Sequence, residues 1–302
     1  MKTRLLLVIL MLICASGVSA AVQETPDLTP PQFGTFDPAS VEDIDLMALP
    51  LIPSLTDHAR SIFERGQAAG RNPRMFSKVG DSMTASPSFL TGFAGDDYDL
   101  GEYPALQAVV DYFNANGEVS AFDRPNYATE PGFSTTSALD PTWANPEVCE
   151  PNESPLVCEY RALQSAFALI MFGTNDVIFF DDATYDYFLR TVVLETIAAD
   201  IVPVLYTFPV RPEEPEKSAY FNRIMTRVAQ DYDLPLVNLY AAVDGLADHG
   251  VDLADPLHMT QPENPADVTR FDNTTLQAGY TVRNLLTLQT LDALLGELGE
   301  IR

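Results

Sequence analysis

A chain of 302 residues is long enough for one large α/β domain or two small ones and buries roughly three-quarters of its unfolded surface on folding. Its 43 Asp plus Glu against 17 Lys plus Arg leave a formal charge of −26 at neutral pH, a field that repels phosphate backbones and anionic lipid and so excludes nucleic acid as a partner. The hydrophobic share of 46% and the aromatic share of 10% belong to a folded chain, so the acidity is that of a solvated surface.

Lys2 and Arg4 precede an apolar run from Leu5 to Ile13, and Val18-Ser19-Ala20 then supplies small residues for a signal peptidase, so residues 1–20 read as a cleaved export signal. The run is shorter than the ~20 apolar residues that span a bilayer, and no later stretch is longer, so no transmembrane segment is expected in the mature chain. Ile13 is too large to precede a lipid-modified cysteine, which argues against anchoring at Cys14. The expected location is secreted or in the cell envelope, by a bacterial route. Residues 21–53 carry Pro26, Pro30, Pro31, Pro38, Pro50 and Pro53 among acidic residues and read as an extended arm. Ser54-Leu-Thr-Asp57 resembles a capping box, and Leu55, Ala59, Ile62 and Phe63 follow at helical spacing. A compact domain over residues 54–302 begins there.

Short apolar runs then alternate with amphipathic segments, the pattern of a parallel sheet covered by helices. Expected strands are Met75–Val79, Val119–Phe122, Phe167–Phe172, Ile201–Phe208 and Leu236–Leu239, with Val119–Phe122 the weakest by pattern. Helix stripes appear at Tyr187, Phe188 and Val192 and at Phe221, Ile224, Met225 and Val228; a last helix from about 275 to 298 carries Leu285, Leu291, Leu294, Leu295 and Leu298. These aromatics read as core and not as a ligand box. Export leaves Cys149 and Cys158 as the cysteines of the mature chain, and their pairing staples a short loop with a stabilisation on the order of 2 to 3 kcal/mol. A metal site there lacks a second Cys or His pair.

Three segments carry the chemistry. Val79-Gly80-Asp81-Ser82-Met83-Thr84 follows the first strand, and in an open α/β sheet ligands bind at the carboxyl ends of strands, where Ser82 would be presented. Phe172-Gly173-Thr174-Asn175-Asp176 closes the most apolar strand; its glycine permits a sharp turn, and its asparagine can offer an amide to a developing oxyanion. Asp255-Pro256-Leu257-His258 precedes the final helix, and a spacing of three lets the carboxylate hold one ring nitrogen while the other faces a nucleophile. Each alone is also ordinary turn or capping chemistry. The conjunction, in the order Ser, Asn, Asp and His and each at a strand's carboxyl end, is what points to catalysis.

Together these blocks resemble the SGNH (GDSL-type) hydrolase family over about residues 72 to 298. The resemblance implies a three-layer α/β/α sandwich around a central parallel five-stranded sheet, flavodoxin-like, and a serine ester hydrolase that needs no cofactor and no metal. It assigns Ser82 as nucleophile and backbone oxyanion donor, Asn175 as side-chain oxyanion donor, His258 as general base and Asp255 as its orienter. The family's remaining block supplies a glycine N–H, placed here at Gly132 in Asn126-Tyr-Ala-Thr-Glu-Pro-Gly132-Phe-Ser-Thr. The triplet is not the G-x-S-x-G elbow of the α/β-hydrolases.

His58, beside Asp57 on the first helix, reads as solvated; His249 follows Asp248 but lacks an Asp three residues earlier. Gly95-Asp96-Asp97-Tyr98-Asp99 misses the alternate-ligand pattern of a calcium loop and reads as a solvated acidic turn. Lys78 interrupts an apolar strand and is expected to pair with a carboxylate or to reach solvent. The expected substrates are short-chain acyl esters, with neutral glycans suiting so acidic a protein. Two other functions share the sequence signal: an envelope polysaccharide O-acyltransferase, and a binding module on an inactive scaffold.

Overall fold

The structure is a computed structural model describing residues 26–117 and 119–302; the expected export signal at residues 1–20 lies outside the described residues. Helix α1 (Asp57–Ala68) leads into β1 (Asn72–Gly80), which is followed by the single turn α2 (Ser82–Ala85), then α3 (Gln107–Asn114), α4 (Thr135–Leu139) and α5 (Pro155–Leu163). Beyond them come β2 (Ser165–Met171), α6 (Asp176–Phe179), α7 (Asp182–Ala198), β3 (Val202–Tyr206), α8 (Pro215–Asp231), β4 (Leu236–Val237), α9 (Leu239–Val243) and α10 (Gly279–Leu298). The strands pair in parallel in the order β1-β2-β3-β4, with Val79 opposite Ile170, Phe167 opposite Val202 and Leu205 opposite Leu236. Every residue of β2 and β3 is buried, as expected of parallel strands covered on both faces. Helices α1, α3 and α10 pack together on one side, and α4, α5, α7 and α8 on the other.

The sheet has four strands where five were expected. Residues 119–122 form no strand: the Phe122 ring is drawn into a cluster with Phe76, Phe93 and Phe113, and its carbonyl accepts from Lys78 Nζ. The outer edge of β1 is instead met by Ala128 and Thr129, through the Gly80 N–H to Ala128 O at 3.1 Å and one parallel bridge. Consecutive segments of chain therefore lie on opposite sides of β1, which makes its carboxyl end a topological switch point.

Other expectations are revised by long-range contacts. The cap of α1 is Thr56, whose hydroxyl accepts the Ala59 N–H, and not Ser54. Residues 38–53, read as an extended arm, lie against the domain: Val41, Ile44 and Leu46 are buried, and Asn238 Nδ2 donates to Leu46 O at 2.7 Å. On α7 the buried face is Tyr185, Leu189, Val192, Val193 and Ile197, while Tyr187 and Phe188 pack edge to face against each other, half-buried. The α8 and α10 stripes are buried as expected, apart from Leu298, which is half-buried. Cys149 and Cys158 are joined by a disulfide. Among the described residues no helix is long and apolar enough to cross a membrane.

Candidate active site

Gly80 is required at the end of β1 because a Cβ there would stand 2.5 Å from both Met171 O and Thr84 Oγ1. Asp81 then caps α2, its Oδ1 accepting the Met83 N–H at 2.9 Å. Ser82 is the first residue of that turn, half-buried, with its N–H among the groups that a helix start leaves unpaired. Burial raises the Asp81 carboxyl to about 7, against the Met83 N–H and the nearby Arg283 guanidinium, which lower it.

The histidine comes from a loop folded back on itself. Val251 and Met259 form an antiparallel bridge, and the Asp252 N–H donates to His258 O. Thr260 ties the loop to α10 by accepting the Gly279 N–H on its hydroxyl at 2.8 Å. Within this frame His258 Nδ1 and Asp255 Oδ2 stand 2.7 Å apart, a distance that fixes the ring's orientation and leaves Nε2 to act.

Ser82 and His258 line one cavity of ≈500 Å³ together with Ser86, Asn126, Thr129 and Glu130. No direct hydrogen bond joins Ser82 to His258 among the described residues; such contacts commonly tighten only when substrate binds. Elsewhere, a depression of ≈660 Å³ between residues 28–31 and α7 has no serine, cysteine or histidine on its wall, and one of ≈250 Å³ lies between residues 49–56 and α8.

Asn175 and Gly132 are not on the wall that Ser82 and His258 share, but they are bound to each other's segment. Asn175 Nδ2 donates to Phe133 O at 2.7 Å, using one of its two amide hydrogens. The buried Asp176 accepts from the Gly173 N–H on one oxygen and from the Thr135 N–H and hydroxyl on the other. Burial raises its carboxyl to about 6, opposed by these hydrogen bonds. Gly173 has φ +139° and a Cβ there would strike the Phe208 ring at 2.0 Å, while Gly132 has φ +87° with open space around it. Both positions therefore need glycine, one for space and one for backbone conformation. The chain enters the cavity wall through Thr129, Glu130 and Pro131, immediately before Gly132.

Several residues that support the site carry no sequence motif. Arg283, buried at 1% exposure, donates to Met83 O at 2.9 Å and to Thr84 Oγ1 at 3.0 Å with its guanidinium over the Phe89 ring. Its neighbour Asn284 binds Ser88 O, Val268 O and the Leu90 N–H. Two adjacent residues of α10 thus clamp the segment after Ser82. Their signal in the sequence was faint: a polar pair, Arg283-Asn284, directly before the leucines of a helix that carries other polar residues as well. Arg124 and Glu159 form a buried ion pair at 2.9 Å, and Glu159 also accepts the Tyr127 N–H, which fixes Asn126 on the cavity wall.

The other charged candidates have structural occupations. Lys78 neither pairs with a carboxylate nor reaches solvent: its ammonium donates to Phe89 O and Phe122 O, and burial lowers it to about 7. His58 is half-buried on Tyr232 O at 2.6 Å and is not a solvated residue. His249 lies against Asp244 at 3.2 Å, away from the cavity of Ser82. In the acidic turn Asp97 pairs with Arg270, and Asp99 accepts the Gly101 N–H.

A parallel α/β sheet presenting a capped serine at a switch point, opposite an Asp-held histidine, defines the class of carboxylic ester hydrolases built on this sandwich. The chain belongs to the GDSL-like lipase/acylhydrolase family, whose model matches residues 79–262, more than half of its length. Among solved structures it is similar to a lipase/acylhydrolase from Enterococcus faecalis at 18% identity, covering 76% of this chain and 97% of that one with a TM-score of 0.45. A GDSL-like lipase from Bacteroides thetaiotaomicron is similar at 16% identity, covering 78% and 98% with a TM-score of 0.42. A variant of an acetyl xylan esterase from Geobacillus stearothermophilus is similar at 14% identity, covering 74% and 96% with a TM-score of 0.44. Comparison with curated proteins gave no match.

Proposed function

We propose that the protein is an exported serine esterase that cleaves short-chain acyl esters through an acyl-enzyme, with residues 1–20 as its signal and 54–302 as the hydrolase domain, against which residues 38–53 pack. The observation that carries this reading is the His258–Asp255 contact at 2.7 Å, with His258 on the same cavity wall as Ser82. Ser82 Oγ attacks the ester carbonyl carbon as His258 Nε2 takes its proton. The oxyanion is received by the Ser82 and Gly132 N–H groups and by the free amide hydrogen of Asn175. Collapse expels the alkoxide, which takes the proton back from His258 and leaves as the alcohol. Water, deprotonated by His258 in turn, then attacks the acyl-enzyme, and Ser82 regains its proton as the acid departs.

Short acyl groups are favoured by the cavity itself. Its wall is Ser, Asn, Thr, Glu and His258, with the small apolar surfaces of Ala85, Pro87 and Pro131, which offer a long chain little area to bury. Incubating the folded protein with a fluorophosphonate and mapping the adduct by mass spectrometry tests the reading. Labelling at Ser82, abolished by Ser82→Ala and accompanied by acetate release from an aryl acetate, is the expected result. A protein that stays unlabelled and inert toward aryl esters is a binding module and not an esterase.

A further inference from the structure

The His258 imidazole stands between two cavities. Ser82 opens on the first; the second, of ≈610 Å³, shares Ser86 and His258 with it and is completed by Asp252, Asp255, Met259, Thr260, Gln261 and Tyr280. Proton bookkeeping assigns the two halves of an ester. The acyl half stays on Ser82, while the base that took the nucleophile's proton must return it to the leaving oxygen. The alcohol half therefore departs along the His258 wall, and the space on that wall away from Ser82 is the second cavity. We propose that this cavity is the alcohol subsite and that it takes a neutral polyhydroxylated alcohol, a sugar unit; the assignment rests on the esterase reading of Ser82 and His258.

The chemistry of the wall selects that class. The volume lies in the range of small-molecule sites. Asp252 commits one carboxylate oxygen to the Ala254 N–H and keeps the other. Ser86 Oγ accepts the Ser88 N–H and keeps its proton to donate, and Gln261 is exposed with an amide that can donate and accept. Tyr280 is 1% exposed, and its hydroxyl has no hydrogen-bond partner. Burial pushes this phenol up to about 12, and the nearby Ser86 side chain acts against the rise. Thr260 is already used on both sides, by Gly250 O and the Gly279 N–H, and shapes the wall.

The competing alcohols fare worse on the same wall. An apolar alcohol would cover these groups without satisfying them. An anionic one meets Asp252, Asp255 and Glu130 with no Lys or Arg on either cavity wall, in a chain of charge −26. A quaternary ammonium is best held by several aromatic faces, and only Tyr280 is present.

Steady-state kinetics on the full chain test this with four acetate esters: a monoacetylated methyl glucoside, 4-nitrophenyl acetate, acetylcholine and an acetylated glycerol phosphate. The sugar acetate is expected to have the highest kcat/KM of the three alkyl esters. In Asp252→Ala and Gln261→Ala the ratio of kcat/KM for the sugar acetate to that for 4-nitrophenyl acetate is expected to fall about fivefold or more through KM, the loss of one hydrogen bond. An unchanged ratio in both variants, or preference for the cationic or anionic ester, overturns the subsite while aryl acetate turnover leaves the esterase reading standing. A parent protein that neither turns over any of the four esters nor is labelled at Ser82 overturns both.

Discussion

Replacing Asp81 with Asn probes how strongly the sheet desolvates the carboxyl next to Ser82. Asp81 is 1% exposed, its Oδ1 accepts the Met83 N–H, and its Oδ2 has no partner. Burial raises it from 3.8 to about 7, and at about 1.4 kcal/mol per pH unit that rise is worth up to about 4 kcal/mol of folding free energy. The sign follows from proton counting. Between the two values the folded state keeps a proton that the unfolded chain has released, so the parent protein loses stability from this group as pH climbs, and the loss is complete above about pH 7. Asn retains the Oδ1 acceptor but cannot ionise, and its Nδ2 meets the same unpartnered surroundings at every pH. That mismatch is a constant offset, so the informative quantity is how the difference between variant and parent changes with pH. Urea denaturation at pH 4 and pH 8 should show Asp81→Asn gaining on the order of 2 to 4 kcal/mol relative to the parent between the two conditions. A difference that stays constant refutes the reasoning, because the carboxyl would then ionise as it does in the unfolded chain.

Asn175→Ala removes a proposed oxyanion donor and is expected to lower kcat on 4-nitrophenyl acetate by about 10²-fold while leaving KM within about twofold; a variant with parental turnover takes Asn175 out of the mechanism. Glu159→Ala strands the Arg124 guanidinium, whose side chain is 1% exposed in the parent. The expected cost is about 3 to 5 kcal/mol, seen in calorimetry as a Tm lower by roughly 10 °C. Replacing Cys149 and Cys158 together by serine releases a loop of sequence separation 9 and should cost roughly 2 to 3 kcal/mol in urea denaturation, with kcat unchanged because neither cysteine lines the Ser82 cavity. A stability loss below the error of the measurement would show that the loop is held by other contacts.

What the sequence determined is local. The turn chemistry of Gly80-Asp81-Ser82, Gly173-Thr174-Asn175 and Asp255-x-x-His258, the unbroken apolar runs of β2 and β3 and the leucine stripe of α10 were legible because each depends on neighbours within a turn or a strand. What only the tertiary structure decided is where buried polar groups find partners. Lys78 ends on two carbonyls, Arg283 reaches back across the chain to Met83, Glu159 neutralises Arg124, and Asp176 binds the Gly132 segment to Asn175's. Residues 119–122 lost their expected strand for the same reason, since an aromatic cluster and an ammonium claimed Phe122 first. A desolvated charge or amide must be satisfied wherever the fold happens to bring an acceptor, and that acceptor's position in the chain leaves no periodicity to read.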